Sequence, residues 1–486
     1  MGKHSAYPRR RKERRDRGGI AVIMTALLLT VTASTPLWFF GASFGTASVA
    51  GPLLGGLFVD QLTWRGRLRR VAVPHDGPGS CLSPETEYGS VKDPRVADTA
   101  GSQEGTVAEA YIVGAVRTPV GTKKGALAGV HPADLGAHVL KELVDRTGAD
   151  PEAVEDVVMG CVSQVGPQAL DLARTAWLSA GLPETTAGVT IDRQCGSSQQ
   201  AVHFAAQGVM SGTQDLVVAS GVENMGMVPM GANAKYAFDA DLPIFGEGWS
   251  KRYGDQEISQ FRGAQLMAEK WGYSRADLEH YSLESHRRAA AARDAGYFDG
   301  QIAPLAGVSR DEGVRPETTL EKMASLDPLR EGWALTAAVA SQVSVGAGAL
   351  LIASERAVNK HGLTPMARIV QLSLVGDDPV YMLTAPIPAT RAALDKAGLG
   401  IDDIDVTEIN EAFAPVPLAW QQELGADPAT TNPNGGAIAL GHPLGATGSV
   451  LMTKLVHELE RSGGRYGLQT MCEGGGQANT TVVERV

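Results

Sequence analysis

The sequence predicts an α/β fold, and three observations carry that expectation. First, 58 of the 486 residues are glycine, while aromatic residues make up only 6% and charged residues 20%, a composition of small-residue packing and tight turns. Second, short β-branched runs alternate with amphipathic stretches along most of the chain. Third, the polar residues between them gather where a strand ends or a helix starts, the places at which open α/β sheets put their sites. The length exceeds the roughly 250–300 residues that a single core serves, so two or more packed units are expected.

The charge and cysteine patterns exclude several classes. The formal net charge is −11 and no basic stripe with interleaved aromatics follows the first residues, so no nucleic-acid partner is expected. The four cysteines, Cys81, Cys161, Cys195 and Cys472, lie far apart without CxxC spacing, and the histidines form no HExxH pair. That argues against a disulfide framework or a metal site, and for free thiols in a reducing, cytoplasmic setting.

The first hundred residues form a separate region. Arg9, Arg10, Arg11, Lys12, Arg14, Arg15 and Arg17 precede an uncharged stretch from Gly18 to Val59, and Arg65, Arg67, Arg69 and Arg70 follow it. The stretch is too long for a signal-peptide core of about 7–15 residues and long enough for two spans of about 20. Residues 1–70 are therefore a basic and apolar extension that could form a membrane hairpin through residues 18–59, with both ends on the basic, cytoplasmic side. Its second piece, "FGASFGTASVAGPLLGGLFVD", resembles a transmembrane helix of the major-facilitator drug antiporters. A fused remnant or misassigned start, a hairpin anchor and a processed leader all remain open readings. Residues 71–105, rich in Pro, Gly, Ser, Asp and Glu, read as a linker carrying Cys81.

From Ala108 the pattern becomes globular. "AYIVGAVR" is an apolar run, and Pro132–Thr147 places Ala133, Leu135, Val139, Leu140 and Leu143 at helical spacing behind His131, the residue before the helix. "AGVTI" reads as a short buried strand, "SSQQAVHFAAQGVMSG" as a helix burying Ala201, Val202, Ala205, Ala206 and Val209, and "DLVVASG" as the next strand. Cys195, in "DRQCGSSQQ", thus falls between a strand end and a helix start. Unpaired N–H groups and the helix dipole there are expected to lower its pKa from about 8.5, and Gly196, Ser197 and Ser198 leave room for a ligand. Taken alone, the residue reads more readily as a packing cysteine than as a nucleophile.

The second half supplies companions. "IDVTEINEAFAPVPLAW" is a strand, a polar pair at Asn410 and Glu411, and a helix. "NPNGGAIALGHPLGATGSVLMTKLVHEL" is a glycine-rich loop carrying His442 into a helix, and "YGLQTMCEGGGQANTTVVERV" is two strands joined at Cys472–Gly476. The run Gly474 to Gly476 reads either as a plain hairpin turn or as a close-approach loop.

The four loops Cys195-Gly196-Ser197, Asn410-Glu411-Ala412-Phe413, Gly441-His442-Pro443 and Cys472-Glu473-Gly474 resemble, in order and identity, the fingerprint of the thiolases, over residues from about 108 to 486. The resemblance implies a five-layer α-β-α-β-α body of two similar halves, residues 106–224 with 334–363 and residues 364–486, with an insert at 225–333 covering coenzyme A. It implies an acyltransferase that cleaves 3-oxoacyl-CoA, or runs the reverse condensation, through a cysteine acyl-enzyme. Cys195 would be the nucleophile, His442 its base, Cys472 the second acid/base, Asn410 the holder of a water in one oxyanion pocket, and the N–H groups of Cys195 and Gly474 a second pocket. Ser341, Ala412, Ala337 and Arg315 match coenzyme A contacts; Lys251, Arg252, Arg262, Arg287 and Arg288 are further cations in the insert. Coenzyme A would be a co-substrate, with no tightly bound cofactor, and subunits would pair as a homodimer or homotetramer. The wording of "DRQCGSSQQA" and "QTMCEGGG" is similar to members linked to fatty-acid or steroid breakdown. A decarboxylating ketoacyl synthase and a noncatalytic lipid-binding homologue are the alternatives; Cys472 opposes the first and the intact set of loops the second. Cys161 matches a family cysteine and reads as packing near the site. Two departures stand out, Val339 for Asn and Val345 for Asp, and loss of a capping Asp at 345 is expected to cost about 0.5–2 kcal/mol.

Overall fold

The computed structural model describes residues 108–486; the basic and apolar extension and the linker with Cys81 lie outside the described residues. Two halves with the same order of elements follow one another. The first runs β1 (Ala110–Arg117), α1 (Pro132–Thr147), β2 (Asp156–Gly160), α2 (Leu172–Ser179), β3 (Ala187–Ile191), α3 (Ser197–Met210), β4 (Leu216–Asn224) and, after a long insert, β5 (Ser344–Ser354). The insert holds α4 (Gln260–Trp271) and α5 (Arg275–Asp294). The second half runs β6 (Ala367–Gly376), α6 (Pro386–Ala397), β7 (Val406–Ile409), α7 (Pro415–Leu424), α8 (Thr447–Ser462), β8 (Tyr466–Glu473) and β9 (Gln477–Arg485).

Strand pairing repeats as well. In the first half β2 lies parallel to β3 and β4, and β5 pairs antiparallel with β4 and β1. In the second, β7 lies parallel to β8, and β9 pairs antiparallel with β8 and β6. Where the first half has β3, the second has a single parallel bridge, Thr407 to Thr431. The sheets meet where Tyr111 and Ile112 pair with Arg368 and Ala367.

Helices α3 and α8 pack on each other and on strands of both halves, while α1 and α2 cover the outer face of one sheet and α6 that of the other. This is the α-β-α-β-α layering. It explains why α8 is apolar almost all round: Val450, Leu451, Met452, Leu455, Val456 and Leu459 are buried on several sides. Lys454, caught in this layer, is neutralised by Glu408 at 2.7 Å and also donates to the Gly435 carbonyl at 2.7 Å. Outer helix α1 instead shows one buried stripe, each Leu or Val of which contributes about 1.5–3 kcal/mol by burial. His131 caps it, its Nδ1 accepting from the Ala133 N–H at 3.2 Å, and Gly148 ends it in the left-handed conformation at φ 65°.

Two expectations need correction. The strand "AGVTI" is not buried: β3 lies at the sheet edge with Val189 43% exposed, because a short apolar run bounded by turns reads the same at an edge as in the interior. Val345 is not a lost cap either. It sits fully buried in β5 opposite Gly121 and Asn224, in a core with Leu127 and Val222, where a β-branched side chain suits both strand and packing.

The insert is fastened to the first half by a buried ion pair. Arg117 donates to Asp311 at 2.7 Å and to Gln301 at 2.7 Å, and Asp311 also accepts from the Val120 N–H at 2.7 Å. Among the described residues no helix is long and apolar enough to cross a membrane.

Candidate active site

Cys195 and His442 occupy equivalent places in the two halves, each on the loop that leads into a central helix, α3 or α8. The chain reaches Cys195 through Gln194, which is held left-handed at φ 47°. A non-glycine residue there costs on the order of 1–2 kcal/mol, offset by the bonds that fix the turn. The Gln194 N–H donates to Asp192 at 2.6 Å, and the Ser197 hydroxyl donates to the Gln194 carbonyl at 2.6 Å while accepting from the Arg193 N–H at 3.0 Å.

Two backbone N–H groups, its own and that of Gly474, lie near enough to the Cys195 sulfur to favour its thiolate. Gly474 lets the Gln194 side chain come close, since a Cβ there would lie 2.9 Å from its side-chain oxygen. Gly475 and Gly476, at φ 84° and 75°, make the left-handed turn between β8 and β9. The glycine run therefore serves as both hairpin turn and close-approach loop. Cys472, the last but one residue of β8, lies close enough to Cys195 for each charge to disfavour another.

Burial decides the charge state of both sulfurs. It pushes the Cys195 thiol up to about 12, with the Glu473 carboxylate adding to the rise and the two N–H groups opposing it. The lowered pKa expected from the helix start is thus overturned, because desolvation of a sulfur in the layered core outweighs the N–H groups. Cys472 is raised well above its ordinary value for the same reason. Cys161 is also raised by burial, beside Glu223, and packs in the core of the first half.

His442 is the complementary group. Its Nδ1 lies 2.7 Å from the Thr447 hydroxyl, which donates its own proton to the Pro443 carbonyl at 3.0 Å. The network therefore assigns the proton to Nδ1 and leaves Nε2 as an acceptor, 3.4 Å from Asn410 Nδ2. Burial holds the ring down at about 4, so it is neutral near pH 7. The His442 backbone N–H donates to the Gln342 carbonyl and the Ser344 hydroxyl, both at 3.1 Å.

Buried carboxylates clamp the loops that carry these groups. Glu223, at the end of β4, accepts from the N–H groups of Val162 at 2.9 Å, Ser163 at 3.2 Å and Gly445 at 2.9 Å, tying the Cys161 loop to the His442 loop. Glu411 accepts from Tyr281 at 3.0 Å, Ser285 at 2.7 Å and the Ile438 N–H at 3.0 Å. Asn432 brackets Ile409 on both its N–H and its carbonyl at 2.9 Å. Asn410 thus stands between fixed neighbours, and its Oδ1 is buried without a protein partner among the described residues.

A cavity of about 520 Å³ opens onto His442 and is lined by Ser341, Ala412, Ala337 and Arg315, all four residues singled out for coenzyme A. Leu444 and Met225 also line it, and both belong to the apolar cluster that includes Cys195. A second cavity of about 450 Å³ shares Arg315, Ala337, Ala340 and Gln342 with the first and adds His286 and Lys322. The other insert cations named above are engaged elsewhere: Lys251 pairs with Glu247, Arg287 and Arg288 with Glu284, Arg262 donates to the Glu257 carbonyl, and Arg252 lies over the Tyr253 ring. Among the described residues no group of His, Cys, Asp or Glu is placed to hold a metal ion. Thr447, Glu223 and Asn432 were not legible as site residues; only the position of Thr447, five residues beyond His442 at a helix start, hinted at one.

Comparison with known proteins agrees with this geometry. The Thiolase, N-terminal domain family matches residues 110–356 and the Thiolase, C-terminal domain family residues 363–485. A steroid 3-ketoacyl-CoA thiolase of Mycobacterium tuberculosis is 59% identical over 408 residues, covering 81% of this chain and 100% of its own. The mitochondrial 3-ketoacyl-CoA thiolase of Bos taurus is 40% identical over 77% of this chain and 98% of that one. The crystal structure of human mitochondrial 3-ketoacyl-CoA thiolase in complex with CoA has a TM-score of 0.71 at 37% identity, covering 78% of this chain and 98% of that one. With the layering, the paired helix starts and both family matches in agreement, this chain belongs to the thiolase family.

Proposed function

We propose that the protein cleaves 3-oxoacyl-CoA with coenzyme A as co-substrate, releasing acetyl-CoA or propionyl-CoA and a shortened acyl-CoA. The observation that carries the assignment is the setting of Cys195: a buried sulfur whose thiolate is favoured by two backbone N–H groups, with a second cysteine close by and a cavity nearby that exposes a neutral histidine.

Each group has a task that its surroundings suit. His442 Nε2 takes the Cys195 proton as the sulfur attacks the 3-oxo carbon, and a protonated thiol is the right resting state for that transfer. The oxyanion that forms faces the N–H groups of Cys195 and Gly474. The carbon–carbon bond then breaks, Cys472 protonates the departing α-carbon, and the enolate oxygen faces His442 and an Asn410-held water. An acyl group remains on Cys195 until coenzyme A, giving its thiol proton to Cys472, attacks and carries it away, and the departing Cys195 sulfur takes its proton back from His442. Sulfur suits this exchange because the enzyme thioester and the coenzyme A thioester are close in energy.

The pantetheine arm runs past Ser341, Ala412 and Ala337, with Arg315 at the junction to the second cavity facing the nucleotide phosphates. Met225, Met230, Phe261, Leu329 and Phe413 give the first cavity an apolar side suited to a bulky acyl group, in keeping with the steroid 3-ketoacyl-CoA named for the relative. Pairing of subunits into a homodimer or homotetramer is supported by the exposed edge of β3. The test is a panel of straight-chain and alicyclic 3-oxoacyl-CoAs assayed with and without coenzyme A. CoA-dependent release of acetyl-CoA or propionyl-CoA is expected, fastest with an alicyclic member; no cleavage of any member would refute the assignment.

A further inference from the structure

The proposed reaction leaves one buried group beside both sulfurs without a task. Glu473 follows Cys472 at the end of β8 and is fully buried. One carboxylate oxygen accepts from the Asn479 N–H at 3.2 Å; the other is buried without a hydrogen-bond partner among the described residues. The carboxylate lies flush against the backbone of Gly196, where an added Cβ would come 1.8 Å from its oxygen. Gly196 is the residue after Cys195, so its lack of a side chain is what admits a carboxylate under the nucleophile. A buried acid with half its acceptor capacity idle carries a cost that packing alone does not recommend, since an apolar residue of similar size would avoid it.

We propose that Glu473 is a positioning residue whose carboxylate, held against Gly196, adds to burial in holding the protons on Cys195 and Cys472 as the pH rises, so that a thiolate forms only by transfer of its proton to His442. The inference rests on the assignment of Cys195 as the acyl-carrying thiol.

The charged and titratable groups around the pair come from four places. Glu473 and Cys472 lie on β8, Asp192 and Arg193 on the loop before Cys195, Glu223 at the end of β4, and His442 on the loop into α8. Arg193 favours the ionised form of Glu473 and Asp192 opposes it; Arg193 Nε makes no hydrogen bond among the described residues, so the two act through space. Burial raises Glu473 itself to about 8, so it is mostly uncharged near pH 7 and its effect on the sulfurs grows as the pH rises through that value. Glu473 is the largest charged contribution to the rise at Cys195, ahead of Glu223. A carboxylate at this place guards against a standing thiolate open to oxidation or alkylation.

The test measures alkylation of Cys195 by iodoacetamide against pH in the free protein, read by peptide mass, for the parent, Glu473→Gln and Glu473→Asp. Glu473→Gln keeps the shape and the acceptor for Asn479 but removes the charge, and its Cys195 is expected to react about three- to tenfold faster at pH 9, where the parent's Glu473 is ionised, with the two profiles converging near pH 7. Glu473→Asp keeps the charge and is expected to stay within about twofold of the parent. A Gln profile that superimposes on the parent would overturn the proposal. So would equal changes in both variants, including loss of folded protein in both, which would make the role structural. Alkylation does not need turnover, so a failed proposal with a reactive Cys195 leaves the thiolase reading standing, whereas an inert Cys195 throughout would overturn both.

Discussion

The starts of α3 and α8 fill the same topological slot in two halves of one design, yet they carry opposite chemistry. At α3 the slot holds a sulfur whose burial and acidic neighbour keep its proton on; at α8 it holds an imidazole whose burial keeps the proton off Nε2. The same desolvation produces both states, because burial disfavours whichever form is charged: the thiolate in one case and the imidazolium in the other. In the proposed mechanism, one local geometry repeated in the two halves thus supplies a donor and an acceptor, and the proton moves only when a substrate carbonyl accepts the sulfur.

Breaking the acceptor side should have the largest effect. His442→Gln keeps a polar side chain but removes the base, and kcat is expected to fall about 10²–10⁴-fold in a thioester-cleavage assay. A fall of only a few-fold would mean that the α8 slot is not the acceptor. The Thr447→Val change is a finer cut, since it removes the partner that holds the His442 proton on Nδ1. A loss of about three- to tenfold in kcat is expected, with KM for coenzyme A nearly unchanged. Equal loss in both parameters would place Thr447 in binding rather than in orientation.

The smallest expected effect is a flat limb. An unshifted imidazole would be about three-quarters protonated at pH 6 and would lose activity there. His442, held at about 4, gains its second proton only well below that pH. The kcat/KM profile is therefore expected to stay level from pH 7.5 to 6, and a limb centred near 6.5 would contradict the account.

Much of this was readable before the structure. The α1 stripe, the strand–loop–helix units and the four loops with Cys195, Asn410, His442 and Cys472 follow from periodicity, from glycine placement and from their joint resemblance to one family. What escaped notice depends on the third dimension. The pKa of Cys195 turns on how deeply α3 lies between two sheets, which its own flanking residues do not reveal. Edge and interior strands share a pattern, so "AGVTI" was misplaced. Glu223, Glu411 and Asn432 bind groups far off in sequence, and a single polar residue carries no mark of such a partner. Val345 shows the reverse error: a missing Asp looked like a loss, although the strand around it makes valine the fitting residue.

The central claim is that the α3 slot carries the acyl group. Removing the second cysteine while leaving the first should expose it most directly, because the acyl group can then be loaded but not passed on. Cys472→Ala protein incubated with a 3-oxoacyl-CoA or acetyl-CoA and digested for peptide mass analysis is expected to carry a stable acyl group on Cys195. No acyl adduct, or an adduct on Cys161 instead, would contradict the account.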